Sequence, residues 1–360
     1  MLLHKITRSR LYKLISQSII HNVGNNNRFK YLFLTIFLFV GLLHIPGSLH
    51  KIYLDNSWRY FFDYAWVHNL QCGKDYIFTY GPLFPVFSPV ANSGLFWGKF
   101  IISNLFILMI VWLFSVYVIK TLKVQAMIIF TITLVSCREA WPYVAVFMLC
   151  SGLPRRCLPA YWKILSLSIL GCLPLIKFSY GMVMLPCLIL SGIALVVSEK
   201  KKSISKLVVG IVVIIVSFLL CWLACGQSPA YLLAYFKGSF EIARGFSGSM
   251  GSSLSSTEPL LDITLAGVTS VFMFAPLISN LVADCTKEYK LKAICRRLIS
   301  DNGVFMLLMG LVYVFFCFKA SFTRQDSSHT TQWMYILPVA VLLFVAMAGK
   351  FRHIPGKNLF

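Results

Sequence analysis

The chain has 360 residues, of which 58% are hydrophobic and 12% charged, about half the charged share of a soluble domain. Mean hydropathy is +0.77, and a soluble fold of this length cannot bury so much apolar side chain. Composition therefore excludes an ordinary water-soluble globule, and continuous rather than alternating apolar runs exclude a transmembrane barrel. What remains is an all-α, polytopic integral membrane protein.

Residues 1–30 carry Lys5, Arg8, Arg10, Lys13, Arg28 and Lys30 and no acid. They read as a cytoplasmic basic arm, either lying on anionic lipid or simply solvated. No small-residue cleavage site follows the first apolar run, so that run is a retained span rather than a secretory signal. It covers about 31–45 and ends at Pro46-Gly47. A long polar interruption then reaches about residue 94, and a second span covers about 95–119. Residues 124–136 and 141–153 are apolar but shorter than the roughly 20 residues of a full crossing. They form either two short spans or one re-entrant hairpin with Arg138-Glu139 at its tip. Spans at about 164–176 and 182–197 flank Lys177-Phe178-Ser179-Tyr180-Gly181, and another follows at about 207–225. After a polar loop at 226–262 come spans at about 263–283, 304–318 and 333–349, and then a basic tail at 350–360. The expected domain is thus 31–349, with about 8–10 transmembrane helices.

Charge sets the orientation. With the N-terminus inside and the spans alternating, most of the 33 Lys/Arg fall in inside loops and most of the 12 acids fall outside. The net charge of +21 is then topogenic, and nucleic acid is not an expected partner. The 11 cysteines lie mostly inside apolar runs, as small hydrophobes do. No CxxC or Cys/His spacing suggests zinc. Cys221 and Cys225 share a helix face and are read as packing residues.

This topology makes about 46–94, 226–262 and 319–332 outer loops, and the first of them is the richest chemically. It holds Asp55, Asp63 and Asp75, together with Trp58, Arg59, Trp66 and the run from Phe78 to Leu83. Asp55 stands just behind the first span and is either a general base or the cap of a helix starting at Asn56 or Ser57. Arg59 is four residues further on, where a helical pair would orient the carboxylate. Asp63 is placed as structural support and Asp75, beside Lys74, as a turn residue. Tyr80-Gly81-Pro82 reads as a turn that seats the loop on the membrane. Glu139 projects from the short hairpin. Arg244, Lys319 and Arg324 are candidates for holding a phosphate leaving group, with Lys177, Asp326 and His329 as further candidates. Lys177 and Lys319 can equally be snorkelling residues at span ends. The glycines and serines of 245–256 read as a mobile lid or a disordered stretch.

The layout resembles the GT-C superfamily of polyprenyl-phosphate-sugar glycosyltransferases, which includes protein O-mannosyltransferases and lipid A aminoarabinose transferases. Asp55-Asn56-Ser57-Trp58 stands where those proteins open their first outer loop with an acidic pair. Gly73-Lys74-Asp75-Tyr76 and Tyr80-Gly81-Pro82-Leu83 are similar to motifs further along that loop. Glu139-Ala140-Trp141-Pro142 is similar to the acid-x-Pro of their second outer loop, one residue longer. The resemblance covers roughly residues 30–225. It implies an inverting transferase on the outer face of a bacterial inner membrane, with Asp55 as base, a polyprenyl-phosphate-linked sugar as donor and an unknown acceptor. Asn56 departs from the pattern by replacing the second acid. No DxD motif occurs, so a divalent metal is unsupported and no cofactor is expected. Two other classes fit the same composition: a transporter or flippase for a lipid-linked or anionic solute, and a non-catalytic membrane assembly partner.

Overall fold

A computed structural model describes residues 27–47, 54–90, 94–199, 202–250, 302–322 and 331–347, with scattered helical positions between 264 and 275. Residues 1–26 of the expected basic arm, the 245–256 lid beyond Met250, most of the span expected at 263–283, and the C-terminal tail lie outside the described residues. So do Arg324, Asp326 and His329.

In chain order the described residues form α1 (Asn27–Leu42), α2 (Leu54–Val67), the single turn α3 (Phe84–Phe87), α4 (Phe96–Thr121), α5 (Val124–Ser136) and α6 (Trp141–Gly152). They continue with α7 (Ala160–Ile176), α8 (Phe178–Glu199), α9 (Lys202–Ala224), α10 (Leu232–Met250), α11 (Asn302–Phe322) and α12 (Ile336–Met347). No strand occurs among them, only isolated bridges.

Among the described residues three helices are long and apolar enough to cross a membrane: Phe96–Thr121, Phe178–Val197 and Ser203–Ala224, with mean hydropathies of 2.3, 2.2 and 3.0. Residues 124–152 add a fourth if taken as one span, but α5 and α6 meet at a bend of 97°. The pair is a broken span or a re-entrant loop rather than one straight crossing. Phe29–Leu42, Ala160–Ile176, Phe305–Ser321 and Gln332–Val345 are apolar but shorter.

The core is built around α6. It starts with a proline in its first turn, where no backbone donor is lost, and its residues 144–152 are all buried. Helices α4, α7, α8, α11 and α12 pack around it. Helices α7 and α9 pack against one another extensively. A Cβ at Gly171 would stand 2.6 Å from the Ile214 carbonyl oxygen, so only glycine allows this approach. From Val208 onward the exposed residues of α9, including Ile211, Val212 and Ile215, are apolar.

The region expected as an outer polar loop at 226–262 contains α10. Tyr235 and Ser239 recur at helical spacing on its buried face, while Leu233, Phe236 and Phe240 are exposed. Glycines and charges hid that periodicity in the sequence.

Candidate functional site

The segment from Leu54 to Val90 is a folded structure rather than a free loop. Helix α2 forms because Trp58, Phe62, Ala65 and Trp66 recur at helical spacing on its inward face, while Tyr60, Phe61 and Tyr64 point outward. It ends in a left-handed Asn69 (φ 51°), with Leu70 N–H donating to Ala65 O at 2.9 Å and Asn69 N–H to Trp66 O at 3.3 Å. These bonds close the last turn and satisfy two otherwise orphaned carbonyls. The helix begins at Leu54. The Asp55 backbone thus lies inside its first turn rather than capping a helix that starts one or two residues later. The Asp55 side chain lies outside the described residues.

Two glutamines tie the following turn to the end of α9. Gln71 Nε2 donates to Gly226 O (3.0 Å), and Gln71 Oε1 accepts from Ser228 N–H (2.7 Å). In return Gln227 Oε1 accepts from Cys72 N–H (2.7 Å), and Gln227 Nε2 donates to Leu70 O (3.2 Å). Asp75 accepts from Gln71 N–H at 2.8 Å, as a turn residue does. Burial pushes the Cys72 thiol up to about 12, opposed by its contact with Tyr76, so it stays protonated and unreactive.

Further on, residues 79–83 lie in the break between α7 and α8. Phe178 N–H donates to Thr79 O (2.7 Å), Gly81 N–H to Ile176 O (3.3 Å) and Leu83 N–H to Leu175 O (3.0 Å). Tyr80 and Lys177 form an antiparallel bridge. A helix broken within an apolar body leaves carbonyls and amides without partners, and the inserted segment supplies them. A Cβ on Gly81 would collide with the Leu175 carbonyl, which makes glycine obligatory there.

This insertion brings two of the predicted site residues together. The Lys177 ammonium lies over the Tyr80 ring, 5.1 Å from its centroid. The Tyr143 and Tyr180 phenols are close enough to interact with it electrostatically. Tyr143 and Tyr180 meet edge to face at 4.9 Å, and the Tyr143 hydroxyl is 3.2 Å from the Ser179 hydroxyl. Lys177 pairs with no carboxylate among the described residues. Tyr80 also stacks on Trp58 (4.9 Å, 21°), and the Arg59 guanidinium lies 5.2 Å from the Trp58 ring. Arg59 Nε is buried and has no hydrogen-bond partner.

The remaining predicted residues are spread more widely. Asp63 is buried and paired with Lys99 of α4, which also donates to Val90 O at 2.7 Å. Glu139, at the α5–α6 bend, is exposed and accepts from the Tyr335 hydroxyl at 2.8 Å. Arg244 on α10 and Lys319 in the last turn of α11 are both exposed. Tyr143, Ser179 and Tyr180 were not singled out in the sequence. The signal available for the last two was their place beside a lysine at an interrupted apolar run.

Chemically, an ammonium lined by phenols, one of which reaches a serine hydroxyl, is a donor set for an anion. No group of three or more His, Cys, Asp or Glu with metal-ligand geometry occurs among the described residues. The site and fold define a helical protein with several helices apolar enough to cross a membrane, built around a tyrosine-lined lysine. No family model, curated protein or solved structure matches the chain.

Proposed function

We propose that this chain is a multi-pass membrane glycosyltransferase. It moves a sugar from a polyprenyl-phosphate donor to an acceptor on the outer face of a bacterial inner membrane, with the N-terminus cytoplasmic. The observation that carries the reading is Lys177. A half-buried ammonium lined by Tyr80, Tyr143 and Tyr180, with no carboxylate partner among the described residues, is costly unless an anion from outside completes the site. A lipid phosphate at a membrane surface supplies that anion. Helix α2, whose first turn carries Asp55, packs against the same aromatic cluster through Trp58. The reaction then needs Asp55 to take a proton from the acceptor hydroxyl or amine as its oxygen or nitrogen attacks the anomeric carbon. The C–O bond to phosphate breaks, and Lys177 stabilises the charge that develops on the departing oxygen. Arg244, Lys319 and Arg324 extend the phosphate-holding surface in this scheme. About 8–10 spans remain the expected count, with the shorter apolar helices making up the difference.

A deletion strain tests the reading. It is expected to accumulate a lipid-linked sugar that disappears on complementation with the wild-type chain and persists with Asp55→Asn or Lys177→Met. Unchanged lipid-linked sugars in the deletion strain would remove the assignment.

One observation favours a second reading, a transporter for a lipid-linked or anionic solute. Two apolar helix pairs are interrupted, at the 97° bend and at Lys177, and broken helices are where transporters place their sites. Solute uptake into proteoliposomes without any glycosyl donor would select it.

A further inference from the structure

A chain of contacts runs from α2 to the α7–α8 break. The Arg59 guanidinium lies on the Trp58 indole, Trp58 stacks on Tyr80, and Tyr80 faces the Lys177 ammonium. The backbone adds a second tie, because Tyr80 and Lys177 are bridged and the amides on either side are bonded across the break. Lysine carries its charge on a four-carbon stem with many rotamers, so a lysine left alone holds no fixed place. Here the aromatic face holds the ammonium, and that face is itself held by Trp58, with Phe84 tilted against Tyr80 at 4.2 Å.

We propose that Trp58 and Tyr80 are positioning residues. They fix the Lys177 ammonium where it receives a lipid-borne phosphate, so anion binding depends on the 54–83 segment being seated in the helix break. The proposal rests on reading Lys177 as an anion site. It adds a coupling that the reading does not require. Trp58 is three residues beyond Asp55 on α2, so the stack that places the cation also fixes the helix turn bearing the proposed base. An empty site and an unseated segment then go together, and the base is brought into register only when the donor phosphate can be held.

The test uses the full chain in nanodiscs of zwitterionic phosphatidylcholine. Two measurements are made: binding of added polyprenyl monophosphate, and the rate at which an amine-reactive ester acetylates Lys177 in the absence of ligand, read by mass spectrometry. Tyr80→Leu and Trp58→Leu are each expected to weaken binding about fivefold and to speed Lys177 acetylation by a similar factor. Tyr80→Phe keeps the ring and is expected to stay within about twofold of the wild type on both measurements. Lys177→Met is expected to lose about tenfold or more in binding. If Lys177→Met binds as the wild type does, the anion-site reading itself falls. If Lys177→Met loses binding while Tyr80→Leu and Trp58→Leu keep wild-type affinity and acetylation rates, only the positioning role is overturned. Should Tyr80→Leu fail to fold, as judged by thermal unfolding, the acetylation rate in Trp58→Leu decides. Inorganic phosphate is titrated in parallel. Binding of it without any affinity for the polyprenyl monophosphate would overturn the lipid-borne part of the proposal.

Discussion

Among the acids of the first loop, Asp63 is 3% exposed and faces Lys99, which is 5% exposed. Lys99 also donates to Val90 O, so removing the carboxylate strands a buried ammonium. Asp63→Asn or Lys99→Met alone is expected to cost about 3–5 kcal/mol, and Asp63→Leu combined with Lys99→Met to recover most of that loss. Thermal unfolding in detergent measures both, and strictly additive losses would contradict a buried pair. His44 sits in the same polar neighbourhood, its ring 3.2 Å from Ser88 O and its backbone amide bonded to Asn104 Oδ1.

At the scale of elements, the insertion of residues 79–83 into the α7–α8 break organises the site. Gly81→Ala sets a methyl group against the Leu175 carbonyl and is expected to cost about 2 kcal/mol or more. Faster amide exchange at Gly81 and Leu83 would report the unseating, and wild-type protection would count against it. The aromatic run and the glycine were visible in the sequence as a seat, and Lys177 as a candidate cation. Their pairing was not, because it joins residues nearly a hundred positions apart through backbone bonds that no local pattern encodes. Asp63 was read as support, and Lys99 was not identified as its partner, since a lysine near the start of an apolar helix reads as a snorkelling residue. Helix α10 was taken for loop because small and charged residues interrupt its apolar spacing. The apolar runs themselves were legible, since a long apolar stretch has few folded alternatives, and so was an interruption at Arg138-Glu139; the 97° angle of the bend was not.

For the whole molecule, the buried α6 is a hub to which the helices on either side of the Lys177 cluster are attached. The unequal burial of the apolar helices, with 61% of the α4 window buried and 6% of the α9 window, fits a body with α9 at its lipid-facing rim. Within that body the proposed base for sugar transfer is Asp55, at a site whose cation is Lys177. The most direct measurement is the rate of sugar transfer from a polyprenyl-phosphate donor in proteoliposomes, comparing the wild-type chain with Asp55→Asn at matched insertion. A loss of about 100-fold or more in turnover, with donor binding retained, is expected. Transfer by Asp55→Asn at the wild-type rate would contradict it.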